Sequence, residues 1–400
     1  MNKKKVTIIL MVFIAIFSTI MLVVNRDNVE ITNEVGNKSK KSNNLLTMNL
    51  EQTAGAGDYK TVTQSEWPTE GYKFNTELSR CENGSELSWD DVNKKILMSG
   101  VSADKCYVYF DIARFDKLCN TSTLACHVAK LYTGTQGENG IYYHNTSLTN
   151  GAGDNNYRYA GANPNNYICL GSDATTCPDD NLFRIIGVFG DKVKVIKDKS
   201  VVKMHWDTSN YNTWSISSLN TYLNGTYLTS IGTLSDKIDV ATWKVGGNTW
   251  DNISVSTAKE VYDYEIKNPS TTASTGETEY SAKIGLMYVS DYMFAVLQDN
   301  WTLVAYNSND ATKDYRAIKA ENWLYLGSDE YTITRSSKNS ADVFAIYSSG
   351  EVYSYSVSCN SDEPLPCSVY AKYARPSFYL ISSVEYSGGT GTSSDPIRIN

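Results

Sequence analysis

Leu182-Phe183-Arg184-Ile185-Ile186-Gly187-Val188-Phe189, then Gly190-Asp191, then Lys192-Val193-Lys194-Val195-Ile196, is the stretch on which the fold class turns. Two apolar, β-branched runs of strand length flank a two-residue Gly-Asp turn, and this arrangement reads as a β-hairpin. Downstream the period changes. Ile216, Leu219 and Leu223 recur at helical spacing, with Ser215 placed to cap a helix over residues 215–223 and Gly225 to close it. Residues 257–266 read as a second helix. Strands resume at residues 284–289, 323–326, 343–347, 351–357, 377–381 and 396–399. Many strands with a few helices make residues 151–400 a mixed α+β domain.

Upstream of residue 151 the pattern is different. Thr61-Val62-Thr63, Tyr72-Lys73-Phe74, Glu86-Leu87-Ser88-Trp89, Lys95-Ile96-Leu97-Met98 and Cys106-Tyr107-Val108-Tyr109-Phe110 are short β-type runs between Gly, Asn and Asp turns. They predict a small antiparallel β-sandwich over residues 61–113, with Trp67 and Trp89 packed inside. Residues 114–150 read as a connector with a helical piece at 124–131, ended by Gly134. Residues 25–60 are polar and unpatterned, with Lys38, Lys40 and Lys41 among Ser and Asn and then Ala54-Gly55-Ala56-Gly57, as expected of a flexible stalk.

Lys3-Lys4-Lys5 and the almost uncharged residues 6–24 open the chain. Such a run crosses about 30 Å of hydrocarbon at about 1.5 Å per residue. The lysines hold its start on the cytoplasmic side, so residues 1–24 are expected to form a cytoplasmic tip and transmembrane anchor, with everything after them extracellular. A cleaved signal peptide shares the positive start and apolar middle. The exit, Met21-Leu22-Val23-Val24-Asn25-Arg26, has no small-x-small cleavage signal and favours the anchor.

The eight cysteines all lie beyond that segment, at 81, 106, 119, 126, 169, 177, 359 and 367. An even count in an exported chain reads as disulfides. Their order suggests four local bridges, Cys81–Cys106, Cys119–Cys126, Cys169–Cys177 and Cys359–Cys367. Metal binding is disfavoured by spacing, because no Cys-x-x-Cys occurs and the histidines are only His127, His144 and His205.

A net charge of -8 argues against nucleic acid, whose phosphates require a cationic face. Only 20% of the chain is charged, whereas Tyr reaches 29 and Trp 8. A neutral polar surface with aromatics suits sugars or other neutral partners. Trp206, Tyr211, Trp214, Trp243 and Trp250 sit among Thr, Asn, Asp and Ser, where a ring can stack on a sugar, and they are the expected ligand-binding residues; the competing reading places such rings in the core. Trp301 shares these surroundings.

Catalytic signals are thin. His205-Trp206-Asp207 sets a base two residues from an acid, on one face of a strand, but no Gly-x-Ser-x-Gly elbow accompanies it. Gly388-Gly389-Thr390-Gly391-Thr392 lacks the Lys-Ser/Thr of a phosphate loop and reads as a turn. Asp173, Asp179, Asp180 and Asn181 form an oxygen-rich loop that suits either calcium or plain solvation. No catalytic residue, metal set or cofactor is called, and nothing in the sequence speaks to oligomeric state.

Several segments together resemble a family of uncharacterised surface domains from Gram-positive gut bacteria. They are residues 157–169, residues 181–187, Trp214 with Leu219-Asn220-Thr221-Tyr222-Leu223-Asn224, residues 285–292, and Ala374-Arg375-Pro376-Ser377-Phe378-Tyr379-Leu380. The resemblance covers about residues 142–400. It implies the C-type-lectin-like fold shared with sulfatase-modifying proteins, and it implies no activity. The triplet that marks calcium-dependent sugar binding is absent, since Glu363-Pro364-Leu365 lacks the amide ligand. Arg375 is expected to pair an acid within the domain. The resulting expectation is a non-catalytic, membrane-anchored extracellular binding or adhesion protein for glycan or another neutral surface ligand; the alternative is an extracellular enzyme acting on cell-wall or dietary polysaccharide through two convergent carboxylates.

Overall fold

In a computed structural model the chain divides into two compact units, residues 1–118 and 119–400. The structure describes residues 29–31, 45–52, 57–63, 72–90, 93–100, 103–119, 122–145, 147–248, 253–269, 277–337, 339–357 and 371–399. The expected anchor at 6–24, Trp67, Trp250, Glu363 and the Cys359–Cys367 pair lie outside them. Among the described residues no helix is long and apolar enough to cross a membrane.

The first unit is a sandwich of two sheets. Tyr59–Val62, Leu45–Glu51, Lys105–Ile112 and Tyr72–Phe74 lie side by side, with Arg80–Cys81 also on Lys105–Ile112; Val29–Ile31, Lys95–Ser99 and Glu86–Asp90 form the second sheet. Met48, Leu50, Phe74, Val108 and Phe110 meet Ile96, Leu87 and Trp89 between them. Trp89 stands edge-on to Phe110 at 5.0 Å between ring centroids, a core position as expected. Two expectations change. The unit is not purely antiparallel, because Leu45–Glu51 runs parallel to Lys105–Ile112 and Val29–Ile31 parallel to Lys95–Ser99. The stalk expected over 25–60 likewise gives way to a central strand, since Leu46, Met48 and Leu50 alternate into the core while the polar residues around them mask that period of two.

The second unit is mixed α+β, and the hairpin is its centre. Its larger sheet runs Ile284–Gly285, Ser377–Tyr379, Lys192–Lys197, Leu182–Phe189, Tyr157–Tyr159, Ile141–Tyr143, with Tyr167–Cys169 also paired to Leu182–Phe189. All these pairings are antiparallel. Gly190 takes φ +62°, the conformation a two-residue hairpin asks of its first turn position. A second sheet runs Val202–Met204, Lys372–Ala374, Glu330–Ser336, Asp342–Ile346, Val352–Ser356, with Gly247–Asn248 added in parallel to Glu330–Ser336. Arg375 lies where the chain passes from Lys372–Ala374 in one sheet to Ser377–Tyr379 in the other. Its Nε donates to Glu330 Oε1 at 2.6 Å, both groups buried, which is the acid pairing expected for it.

The connector expected over 114–150 is, from Cys119 onward, part of this unit. Helix Leu124–Lys130, capped by Thr123, buries Leu124, Ala125, Cys126, Val128 and Ala129, and Ile141–Tyr143 forms the sheet edge. The helix expected at 215–223 starts at Ser218 with Ser217 as cap. It continues through Gly225, which lies in a π-helical turn Leu223–Tyr227, into Leu228–Ser230. Helix Ala258–Tyr262 passes likewise into a π-helical Asp263–Lys267. Residues 323–326 form no strand but a turn at 323–324 and irregular chain after it, with Trp323 Nε1 donating to Tyr159 O. The strand expected at 284–289 stops at Gly285, because Tyr288 and Asp291 cap a helix, Val289–Phe294. Disulfides join Cys81–Cys106, Cys119–Cys126 and Cys169–Cys177, three of the four expected pairs.

Gly187 is the tightest point of the hairpin. A bulge falls between Ile185 and Gly187, and a Cβ at residue 187 would lie 1.9 Å from Tyr157 O. No rotamer relieves a clash between Cβ and backbone, so the strands would have to part. Gly187→Ala should therefore destabilise the second unit by about 3 kcal/mol or more, read as a lowered midpoint in urea at unchanged slope.

Candidate functional site

Three of the five aromatic residues expected to bind ligand are core. Trp206, Trp214 and Trp243 are 0%, 1% and 1% exposed. Trp206 packs on Trp214 and Tyr331 at 5.1 and 5.7 Å. Trp243 lies against Tyr288 and Tyr379 and over Gly285, where any Cβ would strike the ring. Trp301 is buried too, on Tyr142, His144 and Phe294. The competing core reading therefore holds for these rings: their polar sequence neighbours belong to loops that close over them. Among the described members of the set Tyr211 is the exposed one, at 49%.

His205-Trp206-Asp207 assembles no base and acid. Asp207 accepts hydrogen bonds from the amides of Ser209, Tyr211 and Ser218 and from the Ser218 hydroxyl, so its carboxylate organises the loop. The acidic loop after Cys169 is likewise dispersed, with Asp179 paired to Lys199 at 2.5 Å and Asn181 donating to Leu170 O. Among the described residues one His/Cys/Asp/Glu group is close enough to share an ion, Cys81, Asp104 and Cys106. Its sulfurs are joined to each other, and Asp104 accepts from the amides of Asn83, Ser85 and Lys105.

Ionisable groups do converge inside the second unit, without a cleft. Arg158 grips Asp154 through both guanidinium nitrogens at 2.8 and 2.5 Å, and Tyr262 donates to the same carboxylate. Phe189, Tyr262 and Phe294 enclose the guanidinium. Burial works against the Asp154 charge, but Arg158 overrides it and holds the carboxyl well below the usual carboxylate range. Lys194, also near Phe189, meets Asp291 at 2.5 Å. Glu265 accepts from the amides of Val289 and Ser290 and from the Thr334 hydroxyl. Burial pushes the Glu265 carboxyl up to about 7 despite those donors. His144 is fully buried, which lowers its pKa far below the usual value, and its Nδ1 accepts from the Ala152 amide. These groups hold elements together inside the unit.

Clefts open on this unit among the described residues. One, about 370 Å³, is lined by Leu131, Asn139, Gly140, residues 160–165 and Thr390. Its floor is pinned: Ala160 N donates to Gly140 O, Gly161 N to Ala295 O, and Arg184 to Pro164 O and Asn166 Oδ1. Asn139, Asn163, Asn165 and Thr390 are exposed at its surface. No residue lining it is ionisable. Another, about 560 Å³, is lined by the Cys169–Cys177 loop, Asp173, Lys237 and Arg398, the last already donating to Ser172 O and Thr175 O. Sequence reasoning missed the asparagine cleft as a site. Its signal was the Gly161-Ala162-Asn163-Pro164-Asn165-Asn166 run, a loop between two strands with Asn163 and Asn165 exposed.

No protein-family model matches this chain, and neither a curated protein nor a solved structure matches it.

Two measurements separate core from site. Trp206→Ala and Trp243→Ala should each cost about 3–5 kcal/mol of unfolding free energy, as buried indoles do; an unchanged melting temperature would return those rings to the surface. Glu265 carries a pH signature. Its folded-state value lies above the about 4.3 of an unfolded Glu, so the folded chain binds this proton more tightly. The contribution is fully present below about pH 4 and is lost as pH rises through 7. Glu265→Gln, which cannot ionise, should flatten that decline in denaturant titrations.

Proposed function

We propose that this protein is a non-catalytic, cell-surface binding protein, anchored by residues 6–24, that recognises a neutral hydroxyl-rich ligand such as a glycan in the asparagine cleft. The observation that carries the reading is the lining itself. Asn139, Asn163, Asn165 and Thr390 offer amide and hydroxyl groups beside apolar Leu131, Ala160, Ala162 and Pro164, with no charge to attract an ionic ligand. Hydroxyls of a sugar match amides that both donate and accept, and the apolar residues suit its C–H faces. Three disulfides support an oxidising, extracellular setting. Hydrolysis of a polysaccharide requires two carboxylates flanking a substrate groove, and neither cleft is lined by a carboxylate pair. The resemblance to C-type-lectin-like surface domains agrees with a binding role and adds no residue to it.

Single hydrogen bonds contribute about 1 kcal/mol each, so one site binds weakly and display in many copies supplies avidity. A glycan array probed with the multimerised second unit, followed by titration of the best hit, tests the reading. The double change Asn163→Ala, Asn165→Ala should weaken binding by about tenfold or more with an unchanged melting temperature, because both side chains are exposed. Unaltered affinity in that variant, or release of sugar by the wild-type protein, would overturn it.

A further inference from the structure

We infer that Lys194 and Asp291 are joined by a covalent amide, an intramolecular cross-link that ties the central hairpin of the second unit to the helix Val289–Phe294. Lys194 Nζ and Asp291 Oδ2 stand 2.5 Å apart, with the two side chains 1% and 5% exposed. Among the described residues the Lys194 ammonium, which carries three donors, donates to Asp291 alone. The rings of Tyr288, Trp243, Tyr379 and Phe189 surround Nζ at 4.5 to 5.7 Å. Asp291 is held on its own side, where its Oδ2 accepts from the Tyr288 amide as a helix cap. Nucleophile and electrophile are thus in contact, fixed by the strand Lys192–Lys197 and the helix, and screened from water that would favour the separated ions.

The chemistry balances within the pair. Moving one proton from Nζ to the carboxylate turns the ion pair into a neutral amine and a carboxylic acid, a change that removes two charges from a buried compartment walled by aromatic rings. Burial favours it by lowering the pKa of Lys194, against the opposing pull of Asp291. The Nζ lone pair then attacks Asp291 Cγ, the new N–C bond forms, and a C–O bond breaks. The departing hydroxyl takes a second proton from Nζ and leaves as water. Nothing is oxidised or reduced, and no co-reactant is consumed. An amide at this point needs no counter-ion. Unlike the three disulfides, it also survives reduction, which suits a domain outside the cell.

Intact-mass spectrometry of the full-length protein tests the cross-link. The wild type should weigh one water less than its sequence after the disulfide hydrogens are removed, and its tryptic map should contain a branched peptide joining Lys194 to Asp291. Lys194→Met and Asp291→Ala should each restore the missing water and abolish the branched peptide. A wild-type mass with no water missing would overturn the inference, as would a water loss that persists in Lys194→Met. Because the decisive mass is that of the wild type, poor folding of either variant does not blunt the test. The result is also independent of whether the asparagine cleft binds a glycan.

Discussion

Charges withdrawn from water have to be met by opposite charges or hydrogen bonds, and the second unit is arranged around meeting them. Arg158 and Arg375 come from a strand and a strand end and are matched by carboxylates, Asp154 four residues upstream and Glu330 on another strand, while Lys194 meets Asp291 from the helix Val289–Phe294. Removing one member of such a pair leaves the other stranded in a dry interior, which is why these contacts constrain geometry more than their net contribution suggests. The positions of the helix Val289–Phe294 against the larger sheet, and of the crossing at Arg375 between sheets, follow from this requirement. Aromatic rings complete the enclosure, as Phe189 is shared by Arg158 and Lys194.

The fold was legible where local chemistry and tertiary demand coincide. The hairpin around Gly190-Asp191 was, because turn geometry and strand propensity agree there. Helix Leu124–Lys130 and the strands Asp342–Ile346 and Val352–Ser356 were visible for the same reason. The strand Leu45–Glu51 was not, since its alternation is short and set in polar surroundings, and its place at the centre of a sheet depends on a partner sixty residues away. Gly225 misled in the other direction. Glycine often ends a helix by taking a positive φ, but here it lies within a helical run and the chain continues to Ser230.

Legibility of the site failed for a different physical reason. Polar neighbours in sequence made Trp206, Trp214 and Trp243 look like surface rings, yet those neighbours are the residues that cap loops over the core. Asp207 collects loop amides, Ser217 caps a helix, and Asn212 donates to the carbonyls of Ser336, Asn339 and Asp342. Their hydrogen bonds are directed inward. The asparagines of the cleft differ because Asn163 and Asn165 project from a loop whose backbone is already held by Arg184, Asn166 and Gly391. Composition cannot separate these two uses of Asn and Thr; only the partner can.

That separation explains how one unit can combine a rigid interior with an uncharged face. Inside, ionic pairs and close approaches such as Gly187 to Tyr157 leave little room for variation. At the cleft, residues 160–165 are fixed by backbone hydrogen bonds and by Pro164, so the exposed amides can change without disturbing what holds them. In the proposed reading, such a surface meets its ligand already ordered. Little conformational entropy is lost on contact, and modest hydrogen bonds suffice. The physical division between inward-spent and outward-facing amides is what separates the interior of this unit from its cleft.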